Sequence, residues 1–247
     1  MTYAIECVSD SYGAFQELEA GDVDVVITDP PYNAHVQGNL CSGSLVGTKN
    51  VPKYELDFAP QSAAGLDILA RECPRVARRW SVIFSAVEDF GLYKMAAREA
   101  YVRGCIWYKC NAMGQLTVDR PATAYEGITL LHSYAVKKAW NGRGSYGIWR
   151  CNGTRGKKDR HPNEKPPDLC LKLVALFSNR GETVFDAFCG SGAIGEACVR
   201  LGRNYVGWDS DPAWCDRARA RLTVAAGYPE IADEQALGLC SMKGTDT

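Results

Sequence analysis

The chain has 247 residues, 46% of them apolar, and a formal charge of −1, which suits one α/β domain with a substantial core. No apolar run is long enough to span a bilayer and no basic-then-apolar leader is present, so a cytoplasmic protein is expected. Eleven cysteines, none in a Cys-x-x-Cys pair, with only three histidines argue against a metal site. Cys7, Cys105 and Cys198 fall inside apolar runs and are expected as reduced core residues.

Tyr3 to Val8 reads as a strand that closes at Ser9-Asp10-Ser11, side chains suited to capping a helix. That helix would turn Phe15 and Leu18 inward and end near Gly21. The run from Val23 to Thr28 is short, apolar and β-branched, the pattern of a buried parallel strand. It stops at Asp29-Pro30-Pro31-Tyr32-Asn33. Neither proline can donate a ladder hydrogen bond, and each residue before a proline is driven towards an extended conformation. The result is a stiff tip carrying a carboxylate (Asp29), a carbonyl (Pro30) and an aromatic face (Tyr32). Two acceptors and a ring suit a flat base bearing an exocyclic amine; a polar turn is the plainer reading of the same residues. Residues 33–60 mix glycines and polar residues with little periodicity and read as a loop.

A helix is expected from Leu66 to Arg79, irregular at Pro74, then a strand from Trp80 to Ala86 and an amphipathic helix from Val87 to Ala100. Tyr101 to Lys109 reads as a strand with Trp107 and Lys109 on one face, and Tyr125 to Val136 as its antiparallel partner. Residues 1–60 carry a balance of −7, whereas residues 137–165 carry +7. The bases Lys137, Lys138, Arg143, Arg150, Arg155, Lys157, Lys158 and Arg160 are interleaved with Trp140, Tyr146 and Trp149. Such a segment suits phosphate contact and stacking on nucleic acid, and equally a solvated surface loop. It closes on His161-Pro162-Asn163-Glu164-Lys165-Pro166-Pro167, from which Asp168 starts a helix through Phe177.

The run Glu182 to Gly192 leads a strand into a glycine turn, from which a helix leaves with Ile194, Ala197, Cys198 and Leu201 inward. Asn204 to Trp208 is a further strand ending at Asp209, and Pro212 fits the first turn of the last helix after Ser210 or Asp211. Beyond Gly227 the patterning is weak and fraying is expected. Gly190, Gly192 and Gly195 also satisfy the dinucleotide pattern Gly-x-Gly-x-x-Gly, with Asp209 19 residues after Gly190. An NAD-binding oxidoreductase is therefore a competing reading. Asp186 weighs against it, because a carboxylate at that strand end suits a cationic ligand better than a pyrophosphate.

Asp29-Pro30-Pro31-Tyr32 together with Phe188-x-Gly190-x-Gly192 resembles the S-adenosylmethionine-dependent amino-methyltransferases of DNA. The motif order, with the proline corner first, the basic segment next and the glycine turn last, resembles their permuted β group from Tyr3 to about Leu222. Trp107-x-Lys109 and Tyr125-Glu126 fall where that group has similar residues, although the recognition segment is short. The resemblance implies an α/β fold: a seven-stranded, mostly parallel sheet with helices on both faces, Rossmann-like, in circularly permuted order. It divides the chain into a catalytic half (1–136), a short basic recognition insertion (137–160), a cofactor-binding half (161–227) and a tail (228–247). It implies catalysis by Asp29, Pro30, Pro31 and Tyr32. It implies S-adenosylmethionine held by Asp10, Asp29, Lys165, Asp186, Phe188, Cys189, Gly190, Ser191, Gly192 and Asp209, with no metal. Double-stranded DNA would be the substrate, N6 of adenine the expected acceptor, and a homodimer one available assembly. N4 of cytosine and a DNA-binding subunit without turnover are the alternatives.

Overall fold

The computed structural model describes residues 1–31, 62–114, 120–133, 135–154 and 164–240. Eight strands form one sheet: β1 (Tyr3–Cys7), β2 (Val25–Thr28), β3 (Trp80–Ser85), β4 (Tyr101–Tyr108), β5 (Tyr125–His132), β6 (Ile148–Arg150), β7 (Thr183–Asp186) and β8 (Asn204–Asp209). Their order is β1-β8-β7-β2-β3-β5-β4-β6. All neighbours run parallel except β5, which is antiparallel to both β3 and β4. The expected sheet had seven strands; the eighth is β6. Three residues are too few to show a period of two, and they lie in a segment whose charge suggests a loop. What makes β6 a strand is tertiary pairing, with Ile148, Trp149 and Arg150 opposite Ile106, Trp107 and Tyr108.

One face of the sheet packs under α1 (Ala63–Val76), α2 (Phe90–Ala97) and a short 3-10 turn, Gly13–Glu17. The turn stands where an α-helix was expected, and it still buries Phe15. Ser62 caps α1 by accepting from the Gly65 amide at 3.0 Å, and Leu66, Leu69, Ala70, Cys73 and Val76 form its buried stripe. α1 accommodates Pro74 and ends at Val76 instead of Arg79, where Ala77 turns extended at φ −81° and ψ 136°. Arg78 and Arg79 then donate from their backbone to Val23 and Asp24, starting the β2–β3 pairing. The expected helix over 87–100 is broken into two 3-10 turns around α2, with Arg98 at φ 51°.

The other face packs under α3 (Pro167–Phe177), α4 (Ala193–Arg200), α5 (Pro212–Ala226) and α6 (Asp233–Gly238). Asp211 caps α5, and Pro212 occupies its first turn. The residues after Gly227 do not fray through Cys240. Asp233 pairs at 2.7 Å with Arg203, whose side chain is buried, and Ala236 is buried on the core. A buried guanidinium needs a carboxylate, and the tail supplies it. Ten described cysteines are free thiols; Cys105 and Cys198 are buried as expected, but Cys7 is exposed on the edge strand. No helix among the described residues is long and apolar enough to cross a membrane.

Candidate functional site

Strand β2 lies between β7 and β3, and from it the sheet grows outwards in both directions. The carboxyl ends of β2 and β7 therefore form the switch point at which open α/β sheets hold their ligands. Asp29 and Pro30 leave β2 there, and the turn Ala187–Gly192 leaves β7 beside them. Strand β8 lines up next to β7, and β1 next to β8 with Cys7 opposite Asp209. The first and last strands are thus neighbours, which brings Asp10 and Asp209 to the same end of the sheet as the glycine turn.

The turn itself is tightly specified. Gly192 has φ 78°, a left-handed conformation that glycine adopts without strain, and it starts α4. Gly195 lets α4 close on β8, since a Cβ there would stand 2.6 Å from the Tyr205 ring. Above Gly190, in contrast, a Cβ would meet nothing within 4 Å, so the outer side of the turn is open to a ligand. Asp209 spans the mouth of the turn, accepting from the Gly190 amide at 2.8 Å and the Asp211 amide at 3.0 Å. Each of its oxygens keeps a second lone pair for a hydroxyl donor. Asp10 accepts from the Tyr12 amide, and the Tyr12 ring meets Phe188 edge-on at 5.0 Å. This set of open glycine backbone, half-buried Asp209 and exposed Asp10 suits a ribose and a cationic amino-acid moiety.

Asp186, expected by resemblance to hold the cofactor, lies buried beneath the turn. Its carboxylate accepts from Thr28 Oγ1 at 2.8 Å, the Phe188 amide at 3.2 Å and Tyr205 Oη at 3.2 Å, and the residue is 1% exposed. It ties β2, β7 and β8 together beneath the turn. Burial pushes its carboxyl up to about 7, the Thr28 and Phe188 hydrogen bonds pull it back, and the nearby Asp29 charge raises it.

Lys165, also expected at the cofactor, stands beside Asp29. It sits 4% exposed, with Nζ 2.6 Å from Asp29 and 3.4 Å from Glu126, over the face of Phe84 at 4.9 Å. Burial pulls its pKa down, but the Asp29 and Glu126 charges more than restore it, so it stays protonated. Glu126 is bonded in turn to Lys109, whose Nζ lies 4.8 Å from the Trp107 ring. A chain of alternating charge thus runs from β4 to the proline corner. Glu164, next to Lys165 in the sequence, reaches the glycine turn: it accepts from Ser191 Oγ at 3.0 Å and pairs with Arg221 at 3.2 Å. Cys189 is buried, and its thiol is pushed up by burial.

Glu126, Lys109, Glu164 and Arg221 were not among the residues singled out as candidates for the site. The first two carried a signal, lying in the pairs Tyr125-Glu126 and Trp107-x-Lys109; Arg221 carried none, being one of several arginines on α5. Tyr32, Arg155, Lys157, Lys158 and Arg160 lie outside the described residues. The remaining bases do not converge. Lys137, Lys138 and Arg143 follow the end of β5, near Ala139, whose carbonyl accepts from Trp80 at the start of β3. They are separated from the Asp29 end by the length of β3, roughly 16 Å. Arg150 alone of the four stands at the Asp29 end. Trp149 is buried and Trp140 lies 5.9 Å from Phe177, leaving Tyr146, 74% exposed, as the free aromatic among those three.

Comparison with known proteins agrees with this geometry. A family model described as DNA methylase matches residues 23–220. The type II methyltransferase M.HpaI of Haemophilus parainfluenzae is 25% identical over 244 residues, covering 87% of this chain and 72% of that relative. Among solved structures, the M1.HpyAVI–SAM complex superposes with a TM-score of 0.65 at 22% identity, covering 90% of this chain and 99% of that one. The cytosine-N4-specific PvuII DNA methyltransferase gives 0.67 at 11% identity, covering 96% and 90%. At such identities the structural likeness speaks for the fold.

Proposed function

This chain belongs to the DNA methylase family of N6 and N4 amino-methyltransferases, and from that premise we propose that it methylates N6 of an adenine taken out of duplex DNA. The observation that carries the reading is the adjacency of the Asp29-Pro30 corner and the open glycine turn at one switch point, with Lys165 clamped on Asp29. S-adenosylmethionine, when bound, supplies a methyl group made electrophilic by its sulfonium. Asp209 and Asp10 are the acceptors for its ribose and adenine, and the Phe188–Gly192 backbone borders the methionine part.

An exocyclic amine is a poor nucleophile because its lone pair is delocalised into the ring. Asp29 and the Pro30 carbonyl accept its two N–H bonds and favour a pyramidal nitrogen whose lone pair faces the methyl. The nitrogen would gain the methyl as the methyl's bond to sulfur breaks and leaves a neutral thioether, and it would lose one proton, which Asp29 takes and passes to water. Positioning and electrostatics supply the rate, without a covalent enzyme intermediate. Lys165 holds Asp29 in place through their ion pair. Tyr32 stacks on the flipped base. Aspartate at position 29 favours adenine by resemblance, since members with serine there usually act on cytosine.

The test is transfer of labelled methyl to unmodified DNA, followed by digestion to nucleosides. Wild type is expected to yield N6-methyladenine, and a folded Asp29→Ala none. N4-methylcytosine would move the chain to the other branch of its family, and equal activity in Asp29→Ala would overturn the mechanism.

A further inference from the structure

The outer edge of the sheet carries a surface that the reaction above leaves unused. Tyr125 of β5, Tyr108 of β4 and Arg150 of β6 are register partners across three adjacent strands. They form one row across the strands, with neighbours about 5 Å apart. All three are exposed, the tyrosines at 42% and 41%. The Arg150 guanidinium lies 5.8 Å from the centre of the Tyr108 ring, a cation set against an aromatic face. Two residues along the same face, Ile106 and Ile148 pair, and Ile148 is exposed as well. Beyond them Phe90, the first residue of α2, packs on Gly104 and Gly127 and closes the face. The row is thus the bare end of a face that is covered elsewhere.

Its position joins it to the catalytic corner. Side chains alternate along a strand, so Trp107 and Glu126 point to the opposite face, where Glu126 meets Lys109 and Lys165. The row and the Asp29 network therefore occupy two faces of the same strand ends. No carboxylate stands in the row, and its one charge is positive. Exposed aromatic faces beside an arginine at the mouth of a base-modifying site fit a strand of nucleic acid, whose bases offer rings and whose backbone offers phosphates.

We propose that the Tyr125–Tyr108–Arg150 row binds the DNA flanking the target base, the tyrosines stacking on nucleobases unstacked when the target leaves the helix and Arg150 meeting the adjacent phosphate. This rests on the reading of the chain as a DNA methyltransferase. The probe is unmodified, amplified genomic DNA cut to short duplexes, with affinity measured against salt and cofactor affinity measured in parallel. Wild type first reports on the functional reading: if it neither binds nor methylates the duplexes, that reading fails and the row falls with it.

Given an active wild type, Tyr108→Ala with Tyr125→Ala should weaken DNA binding about thirtyfold or more without changing the salt slope, because two neutral rings are lost. The corresponding Tyr→Phe pair should bind like wild type. Arg150→Gln should lower the slope of log affinity against log salt by about one. Should the double alanine variant lose cofactor binding through misfolding, Arg150→Gln and the single Tyr125→Ser decide alone. Unchanged affinity and slope in soluble, cofactor-binding variants would overturn the proposal, as would a loss of self-association in place of DNA affinity.

Discussion

Lys165 is the residue on which the catalytic corner turns. It answers two carboxylates at once, Asp29 at 2.6 Å and Glu126 at 3.4 Å, from a position with almost no access to water. Removing one partner of a buried ion pair leaves uncompensated charge and costs about 3 kcal/mol or more. Lys165→Met is therefore expected to lower the urea midpoint and to cut the methyl-transfer rate about a hundredfold, the scale of a small misplacement of reacting groups. Lys165→Arg should recover part of the stability. A Lys165→Met protein as stable and active as wild type would show that Asp29 needs no counter-charge. By resemblance this lysine is expected beside the cofactor; the structure sets it against Asp29 and Glu126. Only the fold shows that α3 starts between the two halves, with Glu164 reaching one side and Lys165 the other.

Among the elements, the braced ends of β2, β7 and β8 set the pH response. Asp186 has its carboxyl raised to about 7 when folded, against 3.8 as the ordinary value. Between those values the native state holds a proton that the unfolded chain has lost, so this group's contribution to stability falls as pH rises, by about 1.4 kcal/mol per unit at most. Below about 4 both states are protonated, and above about 7 the loss levels off. Thermal unfolding from pH 5 to 8.5 should show wild type losing stability relative to Asp186→Asn up to about pH 7, with a constant gap thereafter. Parallel curves would mean that the carboxylate ionises freely in its brace. Strand positions were legible to within a residue or two wherever β-branched runs met Pro, Gly or Asp, as at β2 and β7. The elements misread were those decided by packing: β6, made a strand by β4; the 3-10 turn at Gly13–Glu17; the helix over 87–100, broken around α2; and the end of α1, at Val76 instead of Arg79.

For the molecule as a whole, the tail is part of the structure. Residues 228–240 carry Asp233 to Arg203, Glu230 to Arg180 and Ala236 to the core. A chain cut after Gly227 would leave Arg203 buried without its carboxylate, although Ser178 and Leu201 still accept from it. Such a chain is expected to lose about 1–3 kcal/mol in urea unfolding while keeping its cofactor affinity, because Asp209 and the glycine turn precede the cut. An unchanged midpoint would make the tail a passenger.

Strand β1 has a single neighbour in the sheet, and that neighbour, β8, is encoded some two hundred residues later. A ribosome adding about 5–20 residues per second would hold β1 unpartnered for roughly ten seconds or more. Through most of its synthesis the nascent polypeptide would display the proline corner with no finished pocket beside it. Competence to bind the methyl donor would arrive late and all at once, when translation passes Asp209.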